Sequence, residues 1–344
     1  MAEGATQLKD PREDLESLGN LDHLGIDCGE IMEQERKVLE NVESTITYSE
    51  IDTQYVVALP WKGNKRRLTS NFGLALNRLK QQSVKFQKDT QYLEHYQKIL
   101  KDQEDGRFIE RVEYFKTEVC HFLAHHGVKK DSATTPIRVV FDCSIRQGKS
   151  GLSLNDCLWA GPHITADPLK VLLQFKTKSF ACISDIEKAF LMVQLREEDR
   201  DYTRFLWLED PTDPDSKLLV YRLRVVLFGA TCSPFLLSAT IKKRLSMVEG
   251  DVERIKRGLY VDNLQFTSND DNELVISFFE ANMIFAQAHL CLKEWTSNND
   301  SLQTIAKAYG ISARERTTHK VLGLNWDKEK DTLTLQQTTI NKSS

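Results

Sequence analysis

The chain has 344 residues, 40% of them hydrophobic, and a formal net charge of -4, which suits a folded chain of about two lobes. Its longest apolar runs, such as Phe180–Ile183 and Val225–Phe228, fall far short of the ~18 residues of a membrane span. Seven scattered cysteines without a CxxC pair argue against a zinc site or a disulfide framework and for a reducing, intracellular setting, the cytoplasm.

Residues 1–25 read as a polar leader, and 30–45 as a short amphipathic helix with Ile31, Met32, Val38, Leu39 and Val42 on one face. Residues 1–52 hold 14 acidic and 4 basic side chains. Tyr55–Pro60 reads as a strand. Residues 60–102 then hold ten basic side chains against three acidic ones. An acidic leader joined to a phosphate-facing lobe has this asymmetry, and so does a solvated helix surface. Mixed three- and four-residue spacing over 74–101 predicts one or two helices, and Glu110–Leu123 a further one. Ile137–Phe141 is a β-branched strand, followed by a turn at Gln147–Ser153. Phe180–Ser184 reads as a buried strand ending at Asp185. Phe205–Leu208 and Leu218–Leu223 are two more strands across a turn-rich link. Ser233 followed by Pro234 marks a helix start, with Ser233 as its cap. Leu259–Phe266 reads as a tight hairpin around the Asp262–Asn263 pair. A helix over Asn282–Leu292 and a strand over Lys320–Trp326 follow. The order predicts an α+β fold, an antiparallel sheet backed by helices on one side.

Two carboxylates stand out against this background. Asp185 closes an apolar strand, where it serves either as a helix cap or as a cation ligand. Asp262 sits between large apolar residues in a turn, where it serves either as a turn former or as a ligand. Magnesium is usually held by one or two carboxylates together with substrate phosphates, and paired ions clamp the oxygens in phosphoryl transfer. His121, His125 and His126 lack a Cys or further His at ligand spacing, which favours an exposed surface over zinc.

Read together, FACISDIEKAF (Phe180–Phe190), LFGATCSPF (Leu227–Phe235) and LYVDNL (Leu259–Leu264) resemble the palm motifs of reverse transcriptases in order and spacing. The wording is most similar to the BEL/Pao group of long-terminal-repeat retrotransposon Pol polyproteins. HFLAHHGVKKDSATTPIRVVFDCS (His121–Ser144) and LSLNDCLWAGP (Leu152–Pro162) resemble the fingers of that group. KEWTSN (Lys293–Asn298) and VLGLNW (Val321–Trp326) resemble its later palm motifs. The resemblance covers roughly residues 50–335.

It implies a right-hand polymerase fold: an acidic leader over 1–50, fingers over 51–180, palm over 181–335, and at 336–344 the start of a connection to a thumb outside this chain. The implied activity is RNA-directed DNA synthesis on a primed RNA or DNA template from deoxynucleoside triphosphates, with no membrane partner. Asp185 and Asp262 would bind two magnesium ions, or manganese, with the Ile186 carbonyl as a further ligand. Asn263 stands where the family commonly has a second Asp, and an amide brings no charge to offset a cation. Lys129 or Lys130 and Arg138 match the cations on the triphosphate. Phe190 matches the ring that excludes a ribose 2′-hydroxyl, or else is a core Phe. Phe228 and Gly229 match the bend where nucleotide and template approach, and Leu322–Gly323 the turn that grips the primer end. Lys293 reads as a proton donor to pyrophosphate or as a plain surface Lys. A remnant that binds nucleic acid without extending a primer is the other reading left open.

Overall fold

The computed structural model describes residues 28–112, 120–129, 137–249, 252–313, 316 and 318–335. The chain enters as helix α1 (Cys28–Thr45) and strands β1 (Thr47–Ser49) and β2 (Gln54–Val57), then a basic 3₁₀ turn at Lys65–Arg67. Helices α2 (Phe72–Lys88) and α3 (Thr90–Asp105) follow. Asp89 separates them, its carboxylate accepting from the Tyr92 amide. Next come β3 (Ile109–Arg111), β4 (Phe122–Lys129), β5 (Ile137–Asp142), α4 (Leu154–Cys157) and α5 (Pro168–Phe175). Strands β6 (Phe180–Ile186) and β7 (Val193–Leu195), helix α6 (Glu197–Arg200), and strands β8 (Arg204–Leu208) and β9 (Leu218–Leu223) complete the middle of the chain. Beyond them lie α7 (Ser233–Leu245), α8 (Glu253–Gly258), β10 (Leu259–Tyr260), β11 (Asn263–Ser268), α9 (Asp271–Ala286), β12 (Leu292–Ser297) and α10 (Asp300–Ala308). Strands β13 (Thr318–Val321), β14 (Leu324–Asp327) and β15 (Thr332–Leu335) come last.

The result is a mixed α+β fold rich in antiparallel sheet. A five-stranded sheet runs β3-β9-β8-β4-β5, and a four-stranded, wholly antiparallel sheet runs β10-β11-β6-β12. The parallel pair β2–β7 ties the start of the chain to the segment between them. Strands on both sides of residue 180 build the five-stranded sheet, because β4 pairs with β8 through Phe122↔Arg204 and Leu123↔Phe205. A single cut at that position therefore does not separate the two sheets.

Side chains alternate along β6. One set, with Cys182 and Ile186, faces the main core, on which α9 packs. Ala181 and Ile183 on the other set meet Phe175, Val321 and Trp326. Helix α5 and the β13–β14 hairpin thus close a second face, and the sheet is covered on both faces rather than one. Among the described residues, no helix is long and apolar enough to cross a membrane.

Several expected elements shift. Ile109–Arg111 and Phe122–Leu123 are strand rather than helix, while 113–119 lie outside the described residues. The helix expected over Asn282–Leu292 ends at Ala286 and begins much earlier, at Asp271. There the Asp270 carboxylate accepts from the Asn272 and Glu273 amides. Lys320–Trp326 is a hairpin, not one strand.

Candidate active site

Asp185 is the next-to-last residue of β6, inside the strand rather than beyond it. Its Cα partners are Asn263 on β11 and Lys293 on β12, so it occupies an inner strand with neighbours on both sides. Directly opposed residues on antiparallel strands hold their Cβ atoms about 4.5–5.5 Å apart. Asn263 therefore shares a face with Asp185, and Asp262 is the next residue back. The Ile186 amide donates to the Asp262 carbonyl at 2.8 Å, which carries the ladder into the turn. Both aspartates are half-buried. Ile186 is buried, so only its main chain could serve a cation.

The turn itself differs from the expected one. Leu259 pairs with Leu264 and Tyr260 with Asn263, which makes Val261–Asp262 the two-residue tip and Asn263 the first residue of β11. Val261 has φ 54°, a left-handed conformation that β-branched residues rarely adopt. Such strain is of order 1–3 kcal/mol and collects at functional sites. The Asn263 side-chain amide donates to Asp262 Oδ1 at 2.9 Å, orienting the carboxylate without adding charge. No group of three or more His, Cys, Asp or Glu able to hold a metal occurs among the described residues. Two carboxylates at one end of one sheet still match the donor set of magnesium held jointly with phosphates. Lys293 Nζ lies 3.5 Å from Glu187 Oε2 beside this pair.

A second group of expected residues converges on one bend. Phe190 is 8% exposed and meets Phe228 edge to face, ring centroids 4.8 Å apart. The guanidinium of Arg138, an exposed residue on β5, lies 5.2 Å from the Phe228 ring. Gly229 has φ 111°, and a Cβ there would meet the Phe141 carbonyl oxygen at 2.4 Å. The need for glycine thus comes from the β5 backbone rather than from room left for a ligand. The bend is clasped from two sides. Asn155 Nδ2 donates to the Gly229 carbonyl at 3.1 Å, while Asn155 Oδ1 accepts from the Thr231 amide at 2.9 Å. Ser233 Oγ donates to the Leu227 carbonyl at 2.6 Å, so Ser233 is a buried tie in the first turn of α7 and not its cap. Sequence reasoning missed Asn155. Its place in SLND, within a capping box formed by Ser153 and Asp156, was the available signal.

Lys129 stands at the exposed end of β4 opposite Ile137, and Lys130 lies outside the described residues. Leu322 and Gly323, with φ 46° and 87°, form the two-residue tip between β13 and β14. With Tyr260 and Asn263 they line a cleft of about 360 Å³, which brings this turn beside the aspartate pair.

His121 and His125 correct the surface expectation, since His121 just before β4 and His125 on it are both buried, while His126 is exposed. His125 Nε2 is 2.8 Å from the Leu206 carbonyl, so it donates there and Nδ1 accepts from the Tyr96 hydroxyl. Burial pushes the His121 and His125 imidazoles down to about 4, and both stay neutral. The Cys182 and Cys232 thiols are pushed up to about 12 by burial and behave as small apolar groups. No family model matches the chain, and no curated protein matches it.

Proposed function

We propose that the chain is the core of an RNA-directed DNA polymerase of the reverse-transcriptase type, adding deoxynucleotides to a primer 3′-hydroxyl. The observation that carries this reading is the pairing of β6 with β11, which sets Asp185 opposite Asn263 and beside the strained Val261–Asp262 tip. In this reading the four-stranded sheet is the palm, and the five-stranded sheet with α2 and α3 forms the fingers. Asp185 and Asp262 hold the cations. Magnesium, when bound with the substrate phosphates, supplies charge neutralisation and in-line orientation. The primer hydroxyl gives up its proton to solvent as its oxygen forms a bond to the α-phosphorus, and the bond to pyrophosphate breaks, that oxygen leaving with its electron pair on pyrophosphate. Phe190, backed by Phe228, fills the space a 2′-hydroxyl would need. Arg138 offers its forked donors to the triphosphate, and the Leu322–Gly323 turn steadies the primer end.

Primer extension by the purified chain with magnesium and deoxynucleotides tests the reading. The folded chain is expected to extend a primer, and Asp185→Asn to abolish extension without loss of template–primer binding. A folded chain that binds a primed template yet never extends it would leave only the binding reading.

A further inference from the structure

A corner outside the aspartate site gathers two tryptophans. Segments 59–62 and 157–159 run side by side as a short antiparallel bridge centred on Trp61 and Leu158. The Trp159 amide donates to the Pro60 carbonyl at 2.8 Å, and the Lys62 amide to the Cys157 carbonyl at 2.8 Å. The Trp61 indole is fixed further. Its Nε1 donates to Asp199 Oδ1 at 2.8 Å, and its ring meets Tyr202 edge to face at 4.9 Å. Asp199 is 1% exposed and also accepts from the Leu59 amide at 2.8 Å. A buried carboxylate therefore holds one indole in a single pose.

Helix α1 faces this corner across a cleft of about 350 Å³, within the roughly 300–1,000 Å³ range of small-ligand clefts. Pro60, Trp61 and Trp159 line one side, and the exposed Gln34, Lys37 and Asn41 line the other. Lys62 Nζ lies 5.4 Å from the Trp159 ring, and Lys65, Arg66 and Arg67 follow directly. Lys37 also pairs with Glu33 at 3.3 Å, which partly offsets the positive field.

We propose that this cleft binds an unpaired nucleobase of a single-stranded nucleic acid, its phosphates drawn by Lys37, Lys62 and the basic turn. The proposal rests on the polymerase reading only for the source of the strand, the unpaired template. Indole faces stack any base, and a base in a duplex has no free face to offer. The Gln34 and Asn41 amides present donors and acceptors that turn to suit different base edges, so little sequence preference is expected. A proline-rich peptide also suits tryptophan-lined grooves, but the surrounding cations favour a polyanion.

The test is a tryptophan-fluorescence titration of the full chain with an oligothymidylate of about eight nucleotides, within the usual range of single-strand site sizes. Of the five tryptophans, Trp207, Trp295 and Trp326 are 7%, 0% and 0% exposed, so quenching reports Trp61 and Trp159. Saturable quenching that weakens with salt is expected, and Trp159→Leu should lower the oligonucleotide affinity about tenfold. Should that variant not fold, Gln34→Leu with Asn41→Leu on the exposed side of α1 should weaken binding with the fold kept. Absence of quenching, unchanged affinity in the folded variants, or displacement of the oligonucleotide by a proline-rich peptide would overturn the proposal. Quenching that persists in a chain unable to extend a primer supports the cleft and removes the polymerase reading. Extension without quenching does the reverse.

Discussion

The two large sheets serve opposite ends. In the five-stranded sheet the centre is a dense aromatic cluster, with Tyr96 stacked on Trp207 at 5.4 Å and His125, Phe141 and Phe205 packed around them. One margin of this sheet is laced by Arg200, Arg204 and Arg222 with Glu110, Glu197 and Asp201. None of its strands contains a non-glycine residue at positive φ among the described residues. The four-stranded sheet is irregular where the aspartates sit. Val261 is left-handed at the tip, Glu294 is left-handed within β12, and the β12 register shifts between Lys293 and Thr296. A regular, satisfied sheet supplies stability, and the strained edge is held in place by it.

The sharpest way to break this contrast is a crossed pair of substitutions. Asp262→Asn should cut primer extension by about a thousandfold or more, ~4 kcal/mol, with the urea midpoint nearly unchanged. Trp207→Ala should do the opposite, destabilising the fold by about 3–5 kcal/mol. If Asp262→Asn unfolded the chain, or Trp207→Ala left stability intact, the division of labour would fail.

Acid separates the sheets next. The unfolded chain protonates His121 and His125 near 6.5, whereas the folded chain resists until about 4. Stability from these groups is therefore full above about 6.5 and is lost as pH falls toward 4, at about 3 kcal/mol per histidine. Urea unfolding at pH 7 and pH 5 reads this directly, and a flat midpoint would show that the imidazoles are not buried neutral.

Phe190→Val addresses the boundary between packing and chemistry. As a sugar gate, Phe190 predicts a rise in ribonucleotide relative to deoxynucleotide use of about tenfold, ~1.4 kcal/mol. As core alone it predicts only destabilisation of about 1–3 kcal/mol. Competition of the two nucleotides in one extension assay decides. The smallest effect is expected at the tip. Val261→Gly should relieve the left-handed strain and stabilise the fold by about 1 kcal/mol while slowing extension, since the turn no longer fixes Asp262. A loss of stability instead would mean that the Val261 side chain contributes more than its backbone costs.

Much of the frame was legible in the sequence because local pattern and final structure agree. The spacing over 74–101 gave α2 and α3, and the apolar runs gave β5, β6, β8 and β9. The paired aspartates were legible from the motifs, although one residue of register at the tip was not, because Asp262–Asn263 and Val261–Asp262 both make acceptable turns on paper. What decided it was cross-strand pairing with β6, a non-local term. Helix α9 was misplaced because its sequence is apolar on most sides, so the period gives no edge and only the Asp270 cap marks the start. His121 and His125 were misread because tertiary contacts to Thr69, Tyr96 and Leu206 decide their burial.

The β6–β11 pairing also carries a consequence for assembly. Its partners are separated by about eighty residues, and that intervening chain contains β8, β9 and α7. Closing so long a loop before any contact rewards it is entropically slow. During synthesis β6 therefore emerges with an unpaired edge and waits for the hairpin that brings Asp262. The local β8–β9 pairing shortens the effective loop in the meantime, so the five-stranded sheet is expected to set first and the aspartate pair to meet last.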